Sequence, residues 1–380
     1  MTTLLLFDDT LRSPELRHEI GEAIADPIGF VEHDGVRIVL GGPLEEAILS
    51  KREDVIDELW DTWELGYRDL VENPSFPTHL IGAEIVLRAL EKLGVGNVVV
   101  PPSFQLLVAD HLRECGVEVV VDADAWIARR RRKAPWEVEG IERAQRAADT
   151  AMLTAARMLG EAEPAGSGVL RFEGEVLTAE LIREAMVAEL LSLGAESEDI
   201  LVHSGDACLE GHDPGYGPIL PDTSCIIDCF PRDRRSGCFT DMTRTFVVGS
   251  LPDELKELHR HCRAALDIAL DAMRPGADDV FSKVTEYFHA QGFPTQVHHS
   301  GPGPLHEGFS HGLGHGVGLE IHERPWMGRR SDPLETGDVV AVEPGLYFRG
   351  TGGVRLEDTV LITDDGVVSF TDPYPYDLEP

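Results

Sequence analysis

The sequence predicts an α/β layer domain followed by an α+β domain, and three observations lead there. A chain of 380 residues is long for one core, which points to two domains. The first third alternates short apolar strand-like runs with amphipathic helical runs. The remainder orders its elements differently: two helices, a strand pair, two more helices, then strands, as if one unit were repeated. The boundary is placed after residue 133, giving domains 1–133 and 134–380.

In the first domain Thr3–Phe7, Arg37–Leu40, Asn97–Val100 and Glu118–Val121 read as strands. Pro43–Leu59, Ile81–Leu93 and Ser103–Cys115 read as helices. Gly94 and Gly116 fall where helix ends favour a left-handed residue. The basic run Arg129–Lys133, followed by Ala134-Pro135, reads as a solvated surface at the boundary. Beyond it, Val138, Ile141, Ala144, Ala148, Met152, Ala155 and Leu159 form a core stripe on a helix from Glu137 to Glu161. Further helices are expected over Ala179–Leu193, with Thr178 as N-cap, Asp253–Met273 and Asp278–Ala290. Their helices should cover one face of an antiparallel sheet.

Composition narrows the function. Net charge is −35, from 33 basic and 68 acidic residues, a field that repels nucleic acid and anionic membrane. A GC-rich genome would explain Arg over Lys but not the acid excess, whereas a salty cytoplasm would explain both. No apolar run reaches membrane-spanning length, and Met1–Asp9 lacks a basic flank or cleavage site, so a cytoplasmic protein is expected. The six cysteines form no Cys-x-x-Cys pair and read as buried free thiols. Cys225, Cys229 and Cys238 as metal ligands is the alternative.

The most informative stretch is Ser310–Pro325, S-H-G-L-G-H-G-V-G-L-E-I-H-E-R-P. His311 and His315 would share a helix face, but a glycine costs about 1 kcal/mol inside a helix and four are interleaved here. A strand through Gly314–Ile321 fits better, closely approached on one side. At about 3.3 Å per residue, His311 and His315 would then lie about 13 Å apart and could not share an ion. The remaining ligands must come from elsewhere. Asp228 in S-C-I-I-D-C-F and Asp241 in F-T-D-M-T-R-T sit on strands joined by the turn Pro231–Gly237, so they can face each other. Glu343 in V-V-A-V-E-P-G and Glu357 in V-R-L-E-D-T can meet across a second hairpin. Four carboxylates and an imidazole make a hard site whose four charges match two divalent ions.

These positions resemble, in type and order, the metal ligands of the "pita-bread" metallopeptidases, the group of methionine aminopeptidase, Xaa-Pro aminopeptidase, prolidase and creatinase. D-M-T-R-T, G-H-G-V-G-L-E-I-H-E-R-P, V-E-P-G-L-Y and R-L-E-D-T carry the match over about residues 134–380. The resemblance implies a pita-bread α+β catalytic domain behind a creatinase-type α/β domain serving substrate access or dimerisation. It implies Asp228, Asp241, His315, Glu343 and Glu357 as ligands of two divalent metal ions. Manganese is favoured by the carboxylates, with cobalt or zinc as alternatives. It further implies catalytic roles for His212, His311, His322, Glu343 and Arg355. The first ligand departs from the family's Asp-x-Gly, because Asp228 is followed by Cys229-Phe230 and a longer turn, with Asp233 as the fallback.

The implied activity is removal of an N-terminal residue from a peptide with a free N-terminus and proline second, by a homodimer. An Xaa-Pro dipeptidase is the alternative; a creatinase-like hydrolase and a non-catalytic binding module on the same fold are the rivals. Tyr347, Trp326 and Tyr216 are candidates for an apolar proline slot.

Overall fold

The computed structural model describes residues 2–166, 168–211, 213–371 and 374–380, and every count given for it is made on these residues. It divides into two compact units, Met1–Arg130 and Arg131–Pro380.

In the first unit six strands form one mixed sheet, in spatial order Glu58–Asp61, Val36–Gly41, Ile28–His33, Leu4–Asp8, Asn97–Val100, Glu118–Val121. The helices Ile81–Leu93 and Leu106–Glu114 bury Val86, Leu90 and Leu112 against Leu5, Leu40 and Val98. Leu16 and Ile20, of the short helix Pro14–Ile20, pack with Phe30, Val39 and Trp126 in a second core. The helix expected over Pro43–Leu59 shrinks to Glu46–Leu49, and its end becomes the strand Glu58–Asp61. Parallel pairing with Val36–Gly41 outweighs local helix propensity there.

The second unit is built as two similar halves. In the first, Ile200–Ser204, Ser224–Cys229 and Met242–Val247 form an antiparallel sheet. Against it pack the helices Pro135–Gly160 and Ala179–Ser192, through Ala151, Met152, Ile182 and Met186 onto Ile227 and Met242. Pro135 occupies the first turn of its helix, where its missing N–H costs nothing. Thr178 caps the second, accepting from Leu181 N at 3.3 Å, a contribution of about 1 kcal/mol.

In the second half, Asp253–Ala272 and Val280–Ala290 cover a five-stranded antiparallel sheet and the ribbon Gly345–Phe348/Gly352–Arg355. The halves are stitched where Thr245 Oγ1 exchanges hydrogen bonds with the Arg355 backbone and Glu357 N donates to Thr243 O.

The basic run is not a solvated surface. Arg129 pairs with Glu19 and Glu32, and Arg130 with Glu15. Arg131 pairs with the buried Asp338, and the Lys133 and Glu323 side chains are only 2% and 6% exposed as an ion pair. Four of the five cations thus meet a carboxylate, which the sequence spacing does not reveal, and only Arg132 stays exposed as expected.

Candidate metal centre

Three of the four carboxylates reach the site from breaks at strand ends, and Asp228 from within a strand. Asp228 lies inside Ser224–Cys229, opposite Thr243 rather than Asp241. Asp241 precedes the first residue of Met242–Val247 and is therefore a diagonal neighbour, a correction to the expected facing pair. The reason lies in the turn. Arg232–Asp233 forms its own strand with Ala195–Glu196, so Pro231–Gly237 is not a simple hairpin tip. Asp233 is spent on this turn, accepting from Ser236 and Arg143, and does not line the site.

Glu343 and Glu357 do stand opposite each other. The pairs Val342↔Asp358 and Gly345↔Arg355 share one register, and both glutamates fall in the gap between them. Their backbones turn elsewhere: Glu343 N donates to Leu313 O at 2.8 Å and Glu357 N to Thr243 O at 3.1 Å.

The histidine–glycine stretch is extended only over Gly314–Gly316. A register shift after His315 lets the chain loop back into Glu323–Met327, which brings His322 to 4.4 Å from His315, ring centre to ring centre. The strand expected to continue to Ile321 ends early, and the 13 Å spacing from His311 required extended chain that is absent. Two glycines are dictated by backbone packing. A Cβ at Gly314 would collide with Ala341 O, and one at Gly316 with Arg324 O.

A pocket of about 420 Å³ collects Asp228, Asp241, His315, Glu343 and Glu357 with His311, His322 and Arg355. His212 lies outside the described residues. Within the pocket, one ligand atom each from Asp241, His315 and Glu357 lie within 4.8 Å of one another, and all three residues are buried. The His315 ring is set by Nδ1 against Gly316 O at 3.1 Å; with Nδ1 as the donor, Nε2 faces Asp241 Oδ2 at 3.7 Å. Burial, reinforced by His322, lowers His315 to about 4, so it is a neutral imidazole at neutral pH. Met242 N holds Asp241 Oδ1 at 2.9 Å, and Thr243 Oγ1 donates to Glu357 Oε2 at 2.6 Å.

Arg355 ties the far side together. It donates to Asp228 Oδ2 at 2.5 Å, Thr243 Oγ1 at 3.1 Å and Tyr347 OH at 3.4 Å. The same phenol meets His311 Nε2 at 3.0 Å. Of the three aromatic candidates, Tyr347 lines the pocket, while Tyr216 and Trp326 are exposed and do not.

The charge balance identifies what these residues suit. Two like charges about 5 Å apart repel by about 3 kcal/mol at an effective dielectric of about 20. Burial, then Glu357 and its neighbours, push Asp241 well up; burial, then Glu343 and Asp228, do the same to Glu357. Glu343 is raised to about 7, by burial first, with Arg355 opposing and Asp228 adding. Asp228 Oδ1 is buried without a hydrogen-bond partner. A divalent cation would answer the repulsion and that orphaned oxygen together, so the residues present fit a metal ion.

Sequence reasoning missed part of the wall: Asp199, Leu201, Phe230, His306, Ser310 and Ile321. Leu201 could have been found only from its pairing with Asp228. Phe230, Ser310 and Ile321 carry a weak signal as neighbours of predicted site residues. Five of the six cysteines are buried free thiols, and Cys115 is exposed.

Comparison with known proteins bears on the family and the fold. The model of metallopeptidase family M24 matches residues 139–364. An uncharacterized peptidase, YqhT, of Bacillus subtilis is 32% identical over 180 residues, 46% of this chain and 47% of the relative. A Pyrococcus furiosus Xaa-Pro dipeptidase is 38% identical over 135 residues, 35% of each chain. The matched stretches thus span half or less of these curated relatives. Solved structures align over nearly the whole chain. An X-Pro aminopeptidase of Thermotoga maritima has a TM-score of 0.77 at 20% identity, covering 99% of this chain and 97% of that one. An Xaa-Pro dipeptidase of Bacillus anthracis has a TM-score of 0.77 at 22%, covering 99% and 94%. At those identities the structures speak to the fold, which is the pita-bread fold of these enzymes. With the family model spanning well over half the sequence, the chain belongs to metallopeptidase family M24.

Proposed function

We propose that the protein is a metal-dependent aminopeptidase that removes the N-terminal residue from peptides with proline in second position. The observation that carries this reading is the buried cluster of Asp241, His315 and Glu357 with Asp228 and Glu343 in one pocket. These five side chains would hold two divalent ions, with manganese favoured over zinc by the carboxylates. Such ions, when bound, supply a water activated at neutral pH and a polarised substrate carbonyl.

The chain's own groups do the rest. Arg355 fixes Asp228, and Tyr347 OH joins that arginine to His311. His311 and His322 both line the pocket, and in this reading they would stabilise a developing oxyanion or protonate the leaving nitrogen. Glu343, besides holding metal, would take a proton from the attacking water and pass it on. His212 is assigned a similar substrate contact from the sequence match alone. Leu201, Phe230 and Ile321 supply apolar wall for the substrate.

An Xaa-Pro dipeptidase is the second reading, favoured by the naming of the Pyrococcus furiosus and Bacillus anthracis relatives. A homodimer in the cytoplasm, with residues 1–133 as the substrate-access and dimerisation domain, completes the proposal. Among the described residues no helix is long and apolar enough to cross a membrane. Release of alanine from Ala-Pro and from Ala-Pro-Ala, with manganese added, tests it. Cleavage of the tripeptide is expected; cleavage of the dipeptide alone selects the dipeptidase, and cleavage of neither refutes both.

A further inference from the structure

Asp199 lines the same pocket as the metal-site carboxylates, yet no step of the proposed chemistry uses it. It sits immediately before the strand Ile200–Ser204, in which Leu201 stands opposite Asp228 and Ile200 opposite Cys229. Side chains alternate across a sheet, so continuing that register puts Asp199, Leu201, Asp228 and Phe230 on one face. All four line the pocket, as that alternation requires.

The Asp199 carboxylate is anchored by its own backbone. Oδ1 accepts from Ile200 N at 2.8 Å, and the Asp199 carbonyl takes the Ser197 hydroxyl at 2.5 Å. Among the described residues no lysine, arginine or histidine forms an ion pair with it. Among the described residues it is therefore a pocket carboxylate without an ion-paired cation. Two residues along a strand is about 7 Å, so it stands about that far beyond Leu201, which flanks Asp228. Leu201, Phe230 and Ile321 line the space with apolar surface.

Resting on the peptidase reading, we infer that Asp199 selects the substrate's N-terminal residue by charge, favouring lysine or arginine. The α-amino end of the substrate belongs at the carboxylate–imidazole cluster, where the scissile bond must lie. A lysine stem of four carbons reaches about 6 Å from its Cα, similar to the offset of about 7 Å between Asp199 and Leu201. Its methylenes then lie on Leu201, Phe230 and Ile321, as amphipathic side chains do on apolar walls. Asp199 is not one of the clustered ligand residues, so its charge would remain for the substrate. A net charge of −35 attracts every cationic peptide to the surface. The test therefore compares variants at one position, where that general attraction stays nearly constant.

The experiment measures kcat/KM for Lys-Pro-Ala and Met-Pro-Ala with the manganese-loaded full chain. Methionine matches the lysine stem in length without its charge. The native protein is expected to favour the lysine peptide about tenfold at low salt, with the preference shrinking as salt rises. Asp199→Asn and Asp199→Leu should each lower the ratio several-fold, to the small residual preference that the general attraction leaves, mostly through KM. Thermal melts of both variants beside the native protein show that the fold is kept, and the conservative asparagine guards against a packing effect of leucine. A ratio that neither variant moves, or a native preference for methionine, overturns the charge selection alone. Hydrolysis of neither peptide by the native protein overturns the peptidase reading, and this inference with it.

Discussion

At the scale of single residues, the site is a balance between repulsion and orientation. Spacing suggested the four carboxylates, the family resemblance implied His315 with Asp228, Asp241, Glu343 and Glu357, and one pocket holds all five. What spacing could not supply was the set of groups that orient them. The Gly316 carbonyl behind His315, Thr243 behind Glu357 and Arg355 on Asp228 come from register across strands over 100 residues apart in the last two cases. His322 contacts the His315 ring by its edge and lies outside the five-residue ligand set. His322→Ala should thus lower kcat by about 100-fold with metal content retained, as assayed by steady-state kinetics beside elemental analysis. Equal loss of both would make it a ligand.

Glu343 gives a pH prediction. Its carboxyl is raised in the folded protein to about 7, so its ionisation opposes folding. Its stabilising share is complete below the ordinary glutamate range, near pH 4, and is lost as pH rises through about 7. In chelator, Glu343→Gln should accordingly raise the melting temperature by about 2–4 °C at pH 8 and leave it unchanged at pH 4. A gain of equal size at both values would mean that charge is not the cause.

At the scale of elements, helices were far more legible than the devices between strands. Ile81–Leu93 is found with the boundaries its apolar period predicts, and Thr178 caps where expected. The Pro231–Gly237 turn was not readable, because its pairing partner, Ala195–Glu196, is distant in sequence. The glycines of the histidine stretch were legible as close approach, and at Gly314 and Gly316 the approaching groups are neighbouring backbone carbonyls.

The loop that returns His322 is held from outside. Glu323, next in sequence, pairs with Lys133 and accepts from Glu320 N at 3.3 Å. Breaking a buried pair by removing one partner costs about 3–5 kcal/mol. Lys133→Met should therefore lower the melting temperature and also depress kcat, because the His322 loop loses its anchor. Lys133→Arg should restore part of both. Full activity in a destabilised Lys133→Met protein, by kinetics beside a thermal melt, would separate the ion pair from the loop.

For the whole molecule, two helix-backed sheets meet along Thr243–Thr245 and Arg355–Glu357, and the site lies where they join. The repeated order of helices and strands in the sequence predicted those halves, whereas their joining line needed tertiary contacts to be seen. Charge acts on the same scale. At −35 the folded chain repels itself, and screening by salt should relieve that. The melting temperature should rise from low to molar salt; a flat profile would detach the acid excess from stability.

The central claim is that four carboxylates and one imidazole gather to hold catalytic metal. The most direct measurement takes native protein and Asp241→Ala through elemental analysis and an Ala-Pro-Ala hydrolysis assay side by side. The native protein should retain stoichiometric divalent metal and release alanine, and the variant should lose both together. An Asp241→Ala protein that keeps its metal and its activity would contradict the account.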